Sequence, residues 1–158
     1  MKRRPRAVDI DFVTSAPVRL SFTGVVSAAP EVAYAALVDD TAGWRAWFPS
    51  VTLARPHDDG EGREIRLRGG ARFDERIVLR KPSEVYAYHV TRTNVPGLRA
   101  LLEEWRLTPA GPGTRLQWTI AGDGSALFRT ALRLMRPALT LEMRAATRAL
   151  DRRLAAAT

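Results

Sequence analysis

The stretch ARFDERIVLRKPSEVYAYHV, residues 71–90, contains two runs in which apolar and polar residues alternate. Phe73 and Ile77 share one face of the first run, and Tyr86 and Tyr88 share one face of the second. Alternation with a period of two is typical of a strand with one buried face, and KPS between the runs is a turn signal. Pairing across this turn places Ile77 opposite Tyr88, so both apolar sets lie on one face. The stretch therefore predicts an antiparallel hairpin with an apolar side.

The same period of two extends over most of the chain before residue 122. Further strands are predicted in VRLSFTGVV (18–26), VTLARP (51–56), REIRLRGG (63–70), LRALLEEWRLTP (98–109) and TRLQWTIAG (114–122). Short turns join the last six of the seven strands, which is typical of an antiparallel meander. The Gly69-Gly70 turn keeps the faces in register only as a three-residue loop or a bulge, which its glycines permit.

Helices are predicted in two places. Pro30 suits the first turn of one short helix, and Asp40 can cap a second short helix that ends at Pro49. From Ser125 to Leu154 apolar residues recur every three or four positions, which predicts one long amphipathic helix. Pro137 should kink that long helix.

Strands and helices are segregated along the chain, which favours an α+β fold rather than an alternating α/β fold. We expect a seven-stranded curved antiparallel sheet around the long C-terminal helix, with two short helices between the first and second strands. Residues 16–158 are predicted to form this single domain. Residues 1–15 have no clear period and are expected to be a flexible, basic lead-in.

Two carboxylates fall on the apolar face of the predicted sheet. Continuing the register places Tyr86 opposite Trp105 and Tyr88 opposite Glu103, while Glu75 lies diagonal to Tyr88. Charged side chains are almost never buried without a partner. Glu75 and Glu103 therefore indicate a cavity or wet cleft between the sheet and the long helix. Strand spacing puts their Cα atoms roughly 11 Å apart, too far for a coupled pair.

The segment DTAGWRAWFPSV, residues 40–51, concentrates three large aromatic rings in a stretch too short to bury them by itself. We expect these rings to close the core between the short helices and the sheet edge. Trp47 and Phe48 are predicted to turn inward, and one of the three rings could form a wall of the cavity.

Composition limits the classes of function. The chain has no Cys, which excludes disulfides and thiolate chemistry, and no motif for a metal or nucleotide site is present. Asp9 and Asp11 interrupt the run that follows MKRRPR, so no signal peptide is predicted. No stretch approaches the roughly 18 apolar residues that a membrane span needs. We therefore predict a soluble, cytoplasmic protein without metal or cofactor.

The net charge of +8 comes almost entirely from arginine, much of it on the opposite face of the sheet. That face carries seven arginines: Arg66, Arg68, Arg72, Arg76, Arg80, Arg106 and Arg115. We interpret it as the solvated side of a sheet with one buried face. Nucleic acid is an unlikely partner because no basic run outside the lead-in is interleaved with exposed aromatics.

The order of elements resembles the helix-grip fold of the START/Bet v 1-like (SRPBCC) superfamily. Local motifs resemble its polyketide cyclase/dehydrase-like branch, namely VVSAAPEVAYAALVDDTAGWRAWFPSV (25–51), FDERIV (73–78), KPSEVYAYHV (81–90) and WRLTPAGPGTRLQWTI (105–120). The resemblance covers about residues 16–154. It implies that an apolar ligand is held between the sheet and the C-terminal helix.

The leading hypothesis is therefore binding or carriage of a hydrophobic molecule that is aromatic, polyketide-like or lipid-like. The expected ligand contacts are Trp47, Phe48, Phe73, Ile77, Tyr86, Tyr88, Trp105, Trp118, Leu132, Met135 and Leu139. An alternative is a cofactor-independent cyclase or dehydratase in which Glu75 or Glu103 moves protons and Tyr88 orients a carbonyl. Each carboxylate could instead simply be neutralised by an arginine, such as Arg99, or line a wet rim.

Two further partners remain open at this point. The arginine-rich outer face of the sheet could bind a protein or a nucleic acid, with steep salt dependence. The last helix carries arginines around an apolar stripe, and a basic amphipathic helix of this kind can lie on an anionic membrane. More often such a stripe faces the protein's own sheet. The sequence does not fix the oligomeric state.

Overall fold

The computed structural model describes residues 3–157. Seven strands within these residues form one sheet: β1 (Val18–Val26), β2 (Val51–His57), β3 (Gly62–Leu67), β4 (Arg72–Lys81), β5 (Val85–Thr93), β6 (Leu98–Ala110) and β7 (Gly113–Gly124). The helices are α1 (Phe12–Ser15), α2 (Pro30–Val38), α3 (Trp44–Trp47), α4 (Ala126–Leu134) and α5 (Arg136–Ala156). Short 3-10 turns lie at Thr41–Gly43 and Asp58–Gly60.

The sheet is antiparallel with the strand order β1-β7-β6-β5-β4-β3-β2. The predicted α+β fold with a meander of six strands is confirmed, and β1 pairs with β7, the last strand of that meander. The predicted register is also confirmed at every cross-strand pair: Ile77 with Tyr88, Tyr86 with Trp105, Tyr88 with Glu103, and Trp105 with Trp118.

The turn between β3 and β4 is the three-residue loop that register required. The Leu67 N–H donates to the Ala71 carbonyl at 2.9 Å, which leaves residues 68–70 as the loop. Gly69 and Gly70 have φ of +92° and +98°, a region that favours glycine. Only with this loop do the apolar faces of β3 and β4 coincide.

The long C-terminal helix is divided in two, where the sequence predicted one kinked helix. α4 ends at Leu134 and α5 begins at Arg136, with Met135 between them. Pro137 has no N–H for a bond to the preceding turn, and its ring would clash with the carbonyl of Arg133 in a continuous helix. The same residue suits the first turn of α5.

α5 lies across the inner face of the sheet and approaches β1 closely. Gly24 permits this approach, since a Cβ there would lie 2.4 Å from Oγ1 of Thr147. Met143 and Leu150 of α5 are buried at 1% and 0% exposure in the main core. None of the helices within residues 3–157 is long and apolar enough to cross a membrane.

Residues 3–15 differ from the flexible lead-in that the sequence predicted. The Arg6 N–H donates to the Arg99 carbonyl at 2.9 Å, and the Arg6 side chain pairs with Asp123 at 3.0 Å. Phe12 and Val13 of α1 are 7% and 5% exposed. The segment is therefore docked on the outer face of the sheet.

An apolar patch on that outer face explains the docking. Ala100, Leu102 and Ala121 are each 0% exposed and form a second, smaller core with Phe12 and Val13 of α1. The outer face is thus covered at its centre, which corrects its interpretation as fully solvated. Elsewhere on it arginines pair with carboxylates, as Arg66 does with Glu64 and Arg106 with Glu104.

Candidate functional site

An apolar cavity of about 290 Å³ lies between the sheet and helices α4 and α5. Seven of the predicted ligand contacts line it: Phe48, Phe73, Tyr88, Trp118, Leu132, Met135 and Leu139. The two inward carboxylates, Glu75 and Glu103, line it as well. A cavity therefore exists where those carboxylates predicted one.

The other four predicted contacts lie outside the cavity wall. Trp47, Tyr86 and Trp105 are 2%, 2% and 1% exposed within the core, and Ile77 packs against the same core from β4. Alternation placed the three strand residues, Ile77, Tyr86 and Trp105, on the correct face, and Trp47 of α3 was predicted to turn inward. It could not show that α3 fills the space above Trp105, where the Trp47 ring packs at a centroid distance of 6.3 Å.

Trp44, rather than Trp47, is the tryptophan of α3 that faces the cavity. Its indole N–H donates to the Leu37 carbonyl at 2.9 Å, which fixes the ring. The Trp44 ring stacks on Phe48 at 5.8 Å, and Phe48 meets Trp118 edge-on at 5.3 Å. These three rings form one side of the cavity, and Trp47 supports them from behind.

A buried ion pair closes one end of the cavity. Nε of Arg63 donates to Oε2 of Glu75 at 2.5 Å, and the two side chains are 3% and 5% exposed. The guanidinium carbon lies 4.3 Å from the Trp44 ring centroid and 3.9 Å from that of Tyr88. Arg63 is therefore held between two aromatic faces, an arrangement that stabilises a cation away from water.

Arg63 also has an unused donor. Among the described residues, nothing accepts a hydrogen bond from its buried Nη1 atom. Burial works against the Arg63 charge, but Glu75 and the neighbouring tyrosines outweigh burial and raise the pKa of Arg63, so it stays cationic. Because buried donors are nearly always satisfied, this one indicates a place for an acceptor that the protein does not supply.

Glu75 has an unusual protonation equilibrium. Burial raises the pKa of Glu75 to about 7; Arg63 opposes the rise and the charge of Glu103 adds to it. The two carboxylates have separate hydrogen-bond partners, yet the charge of Glu103 acts on Glu75, which the prediction of two independent carboxylates did not allow. Glu75 can therefore gain or lose a proton near neutral pH.

Glu103 is held by two neutral donors instead of an arginine. Oε2 of Glu103 accepts hydrogen bonds from the Tyr88 hydroxyl at 2.7 Å and from the Trp118 indole N–H at 3.0 Å. The Trp105 indole N–H donates in turn to the Tyr88 hydroxyl at 3.2 Å. Burial raises the pKa of the Tyr88 phenol well above its ordinary value, and Glu103 adds to the rise, so the phenol stays a donor.

Arg63 is the functional residue that sequence reasoning missed. The predicted partner for the carboxylates was Arg99, which lies exposed on β6. A usable signal existed, since alternation back from Ile65 puts Arg63 on the inner face of β3. It pairs there with Glu75 of β4 in the sheet register.

The cavity opens at the break between α4 and α5. Of the described residues that line the cavity, only Met135 is exposed, at 48%. Glu142 at the same end accepts the Ser50 N–H at 2.7 Å, which ties α5 to the start of β2. The site thus opens beside Met135 and Glu142, and its other end holds the ion pair of Arg63 and Glu75.

Comparisons with known proteins agree with this architecture. Residues 17–155 match the family model described as polyketide cyclase / dehydrase and lipid transport. An uncharacterized protein of Mycobacterium tuberculosis is 31% identical over 150 residues, covering 92% of this chain and 89% of that protein.

Solved structures share the fold. The Zhui aromatase/cyclase from Streptomyces sp. R1128 has a TM-score of 0.71 and 18% identity, covering 87% of this chain and 93% of that one. A START superfamily protein from Mycobacterium smegmatis has a TM-score of 0.61 and 15% identity, covering 80% and 96%. A Rhodobacter sphaeroides protein has a TM-score of 0.68 and 25% identity, covering 89% and 93%. The helix-grip fold and the branch that the motifs resembled are both confirmed.

Proposed function

The chain belongs to the polyketide cyclase/dehydrase and lipid transport family, and on that premise we propose that it binds a small apolar molecule carrying one hydrogen-bond acceptor. The apolar body of the ligand lies against Phe48, Trp118 and Leu132. Its acceptor, a carbonyl or carboxylate oxygen, lies at the closed end and takes the free Nη1 donor of Arg63. That buried donor, which lacks a partner among the described residues, is the observation that carries the proposal.

The size of the cavity narrows the ligand class. Ligand pockets usually measure about 300–1,000 Å³, and this one lies at the lower end at about 290 Å³. It therefore suits one or two rings, or a short acyl chain, better than a fused multi-ring polyketide. Aromatic side chains on several sides favour a flat ligand.

A matched pair of probes tests this proposal. Acetylnaphthalene and ethylnaphthalene have similar shape, but only the first carries a carbonyl oxygen. We expect isothermal titration calorimetry to show tighter binding of the ketone, by roughly tenfold, because the hydrocarbon leaves the Arg63 donor unpaired. Equal affinity for the two probes would contradict the acceptor part of the proposal.

Two variants on the same helix test the location. Leu139 lines the cavity, whereas Leu141 is 64% exposed. Leu139→Trp should fill the cavity and abolish binding of acetylnaphthalene, and Leu141→Trp should leave it unchanged. Native mass spectrometry of the purified protein would also reveal a hydrophobe that co-purifies, and Leu139→Trp should remove it.

A second candidate function is a cofactor-independent cyclase or dehydratase. It is favoured by the raised pKa of Glu75, about 7, because a carboxyl that titrates near neutrality suits a general acid or base. Glu75→Gln and Glu103→Gln separate the two functions. A carrier should retain acetylnaphthalene in both variants, whereas an enzyme should lose turnover of its substrate.

The arginine-rich outer face supports a macromolecular partner less well. Arg55 and Arg66 pair with Glu64, and Arg106 with Glu104, so much of the positive charge is neutralised locally. Binding to nucleic acid would weaken steeply with added salt. A filter-binding titration that shows no salt-dependent retention would remove this alternative.

A further inference from the structure

Three leucines stand out from the surface of the two C-terminal helices. Leu127, Leu134 and Leu141 are 80%, 75% and 64% exposed. Leu127 and Leu134 are seven residues apart, about two helical turns, and so lie on one side of α4, and Leu141 follows in α5 after the break at Met135. We call these three residues the leucine strip. Exposing large apolar side chains in a row is unfavourable in water, so a strip like this marks an interaction surface.

The charge around the leucine strip has one sign. From Ala126 to Leu150 the sequence carries five arginines, Arg129, Arg133, Arg136, Arg144 and Arg148, and a single carboxylate, Glu142. Glu142 already accepts the Ser50 N–H at 2.7 Å. The surface is therefore apolar and cationic together, which complements a partner that is apolar and anionic.

The strip also adjoins the mouth of the cavity. Met135, the exposed residue of the cavity wall, follows Leu134 directly in the break between α4 and α5. A partner that covers the leucine strip would therefore lie at the opening through which an apolar ligand enters the cavity from water.

We propose that the leucine strip and its arginines dock the protein on an anionic phospholipid bilayer. Leucine side chains that are about three quarters exposed project from the protein surface, so they can insert into the fluid interface of a bilayer. Arginines beside them contact anionic headgroups, each strengthening binding by about fivefold near such a surface. This docking goes beyond the proposed ligand binding and does not require an occupied cavity.

A second copy of the chain fits the same surface poorly. Two leucine strips placed face to face would bring the arginines of both copies together. Glu142, the one carboxylate in this segment, is already engaged by Ser50. Like charges in a desolvated interface oppose association, whereas anionic lipid relieves the same charges.

Vesicle flotation with the full chain tests the docking. The vesicles are phosphatidylcholine alone, and phosphatidylcholine mixed with phosphatidylglycerol, with no cavity ligand added. We expect flotation with the anionic vesicles and a loss of binding to them at high salt, since exposed charges are screened. No flotation with either vesicle, or equal flotation with both, would overturn the proposal.

Paired variants locate the contact. Leu127→Ser with Leu134→Ser should weaken binding to the anionic vesicles by roughly a hundredfold, about tenfold for each buried leucine. The control is Val25→Ser with Val32→Ser, which are 55% and 44% exposed on β1 and α2. The control should bind like the original protein. Equal losses in the two pairs would overturn the proposal.

The arginines have their own matched control. Arg144→Gln with Arg148→Gln should weaken binding by roughly 25-fold, about fivefold for each charge. Arg76→Gln with Arg115→Gln lowers the net charge equally but lies on β4 and β7 of the sheet, and should have little effect. A dimer in solution that the leucine variants dissociate would overturn the proposal, because it would assign the strip to self-association. Since these vesicles contain no cavity ligand, failure here leaves the acetylnaphthalene result unaffected.

Discussion

Glu75 and Glu103 are carboxylates of the same kind on the same face of one sheet, yet their surroundings differ. Glu75 is 4% exposed and bonded to a buried arginine at 2.5 Å. Glu103 is half-buried and accepts hydrogen bonds from a phenol and an indole, at 2.7 and 3.0 Å. Glu75 depends on a charge for its stability in the core, and Glu103 depends on neutral donors.

Because of this difference, the two carboxylates have different roles at the closed end of the cavity. The ion pair of Glu75 fixes Arg63 and leaves one guanidinium donor unused. Glu103 fixes Tyr88 and Trp118, two side chains of the cavity wall. If this division is correct, removing the partner of Glu75 should damage the fold far more than removing a partner of Glu103.

Arg63→Met should have the largest effect. Removing one member of a buried ion pair typically costs about 3–5 kcal/mol, and we expect this loss well above pH 7, where Glu75 would otherwise be ionised and paired. The free energy of unfolding, measured in urea, should fall by that amount. Arg55→Met is the matched control, since Arg55 pairs with Glu64 at a 64% exposed position and should cost less than about 1 kcal/mol.

A double variant tests the cause of that loss. Arg63→Met combined with Glu75→Leu removes both charges, and an apolar pair of similar volume is often as stable as the ion pair it replaces. The double variant should therefore recover much of the stability. If it is no more stable than Arg63→Met alone, the loss reflects packing between the rings and not an orphaned charge.

The position of both carboxylates could be predicted from the sequence, but the partner of Glu75 was missed. The period of two fixed the inner face and the register of Tyr88 with Glu103, since slipping by one residue would turn every apolar side chain outward. Arg63 obeys the same period. That period places Arg63 on the inner face and Arg66 on the outer face, but it does not show that the inner arginine is buried against Glu75 rather than at a wet rim.

Two other features depend on packing that local pattern does not encode. α1 has only Phe12 and Val13 as buried residues, too few to show a period, so its docking on Leu102 was not foreseen. Similarly, Trp44 and Trp47 are three residues apart on one turn of helix. Which of them faces the cavity depends on how α3 lies over Trp105.

Glu103→Leu should have the second largest effect. It leaves the Tyr88 hydroxyl and the Trp118 indole without their acceptor, at a cost of about 1–3 kcal/mol. Glu103→Gln keeps a carbonyl oxygen in place and should cost less than about 1 kcal/mol. Urea unfolding of both variants checks this. Equal costs would mean that the charge of Glu103, rather than its acceptor capacity, matters for stability.

The titration of Glu75 gives a third difference between the two carboxylates, with a smaller effect on stability. Its pKa is raised from a usual 4.5 to about 7, so the folded protein binds the proton more tightly than the unfolded chain. The contribution of Glu75 to the free energy of unfolding is therefore fully present below pH 4.5 and is lost as pH rises through 7. Glu75→Gln should abolish this part of the pH dependence.

Carbon NMR of the labelled Glu75 carboxyl measures the same equilibrium directly. Because the charge of Glu103 adds to the raised pKa of Glu75, Glu103→Gln should lower the midpoint. Glu84→Gln, at an exposed position on the turn before β5, is the control and should not move it. An unchanged midpoint in Glu103→Gln would show that the two carboxylates are electrostatically independent.

Tyr88→Phe should affect stability less than Arg63→Met or Glu103→Leu, by about 1 kcal/mol for its hydrogen bond to Glu103. The ring that covers Arg63 stays, and only the hydroxyl that links Glu103 to Trp105 is removed. The midpoint of Glu75 should therefore remain near 7, whereas the signal of the Trp105 indole N–H should shift because its acceptor is gone. If the Glu75 midpoint moves as far as it does in Glu103→Gln, the hydroxyl couples the two carboxylates. The closed end would then be one network, and the separation of tasks between Glu75 and Glu103 would be wrong.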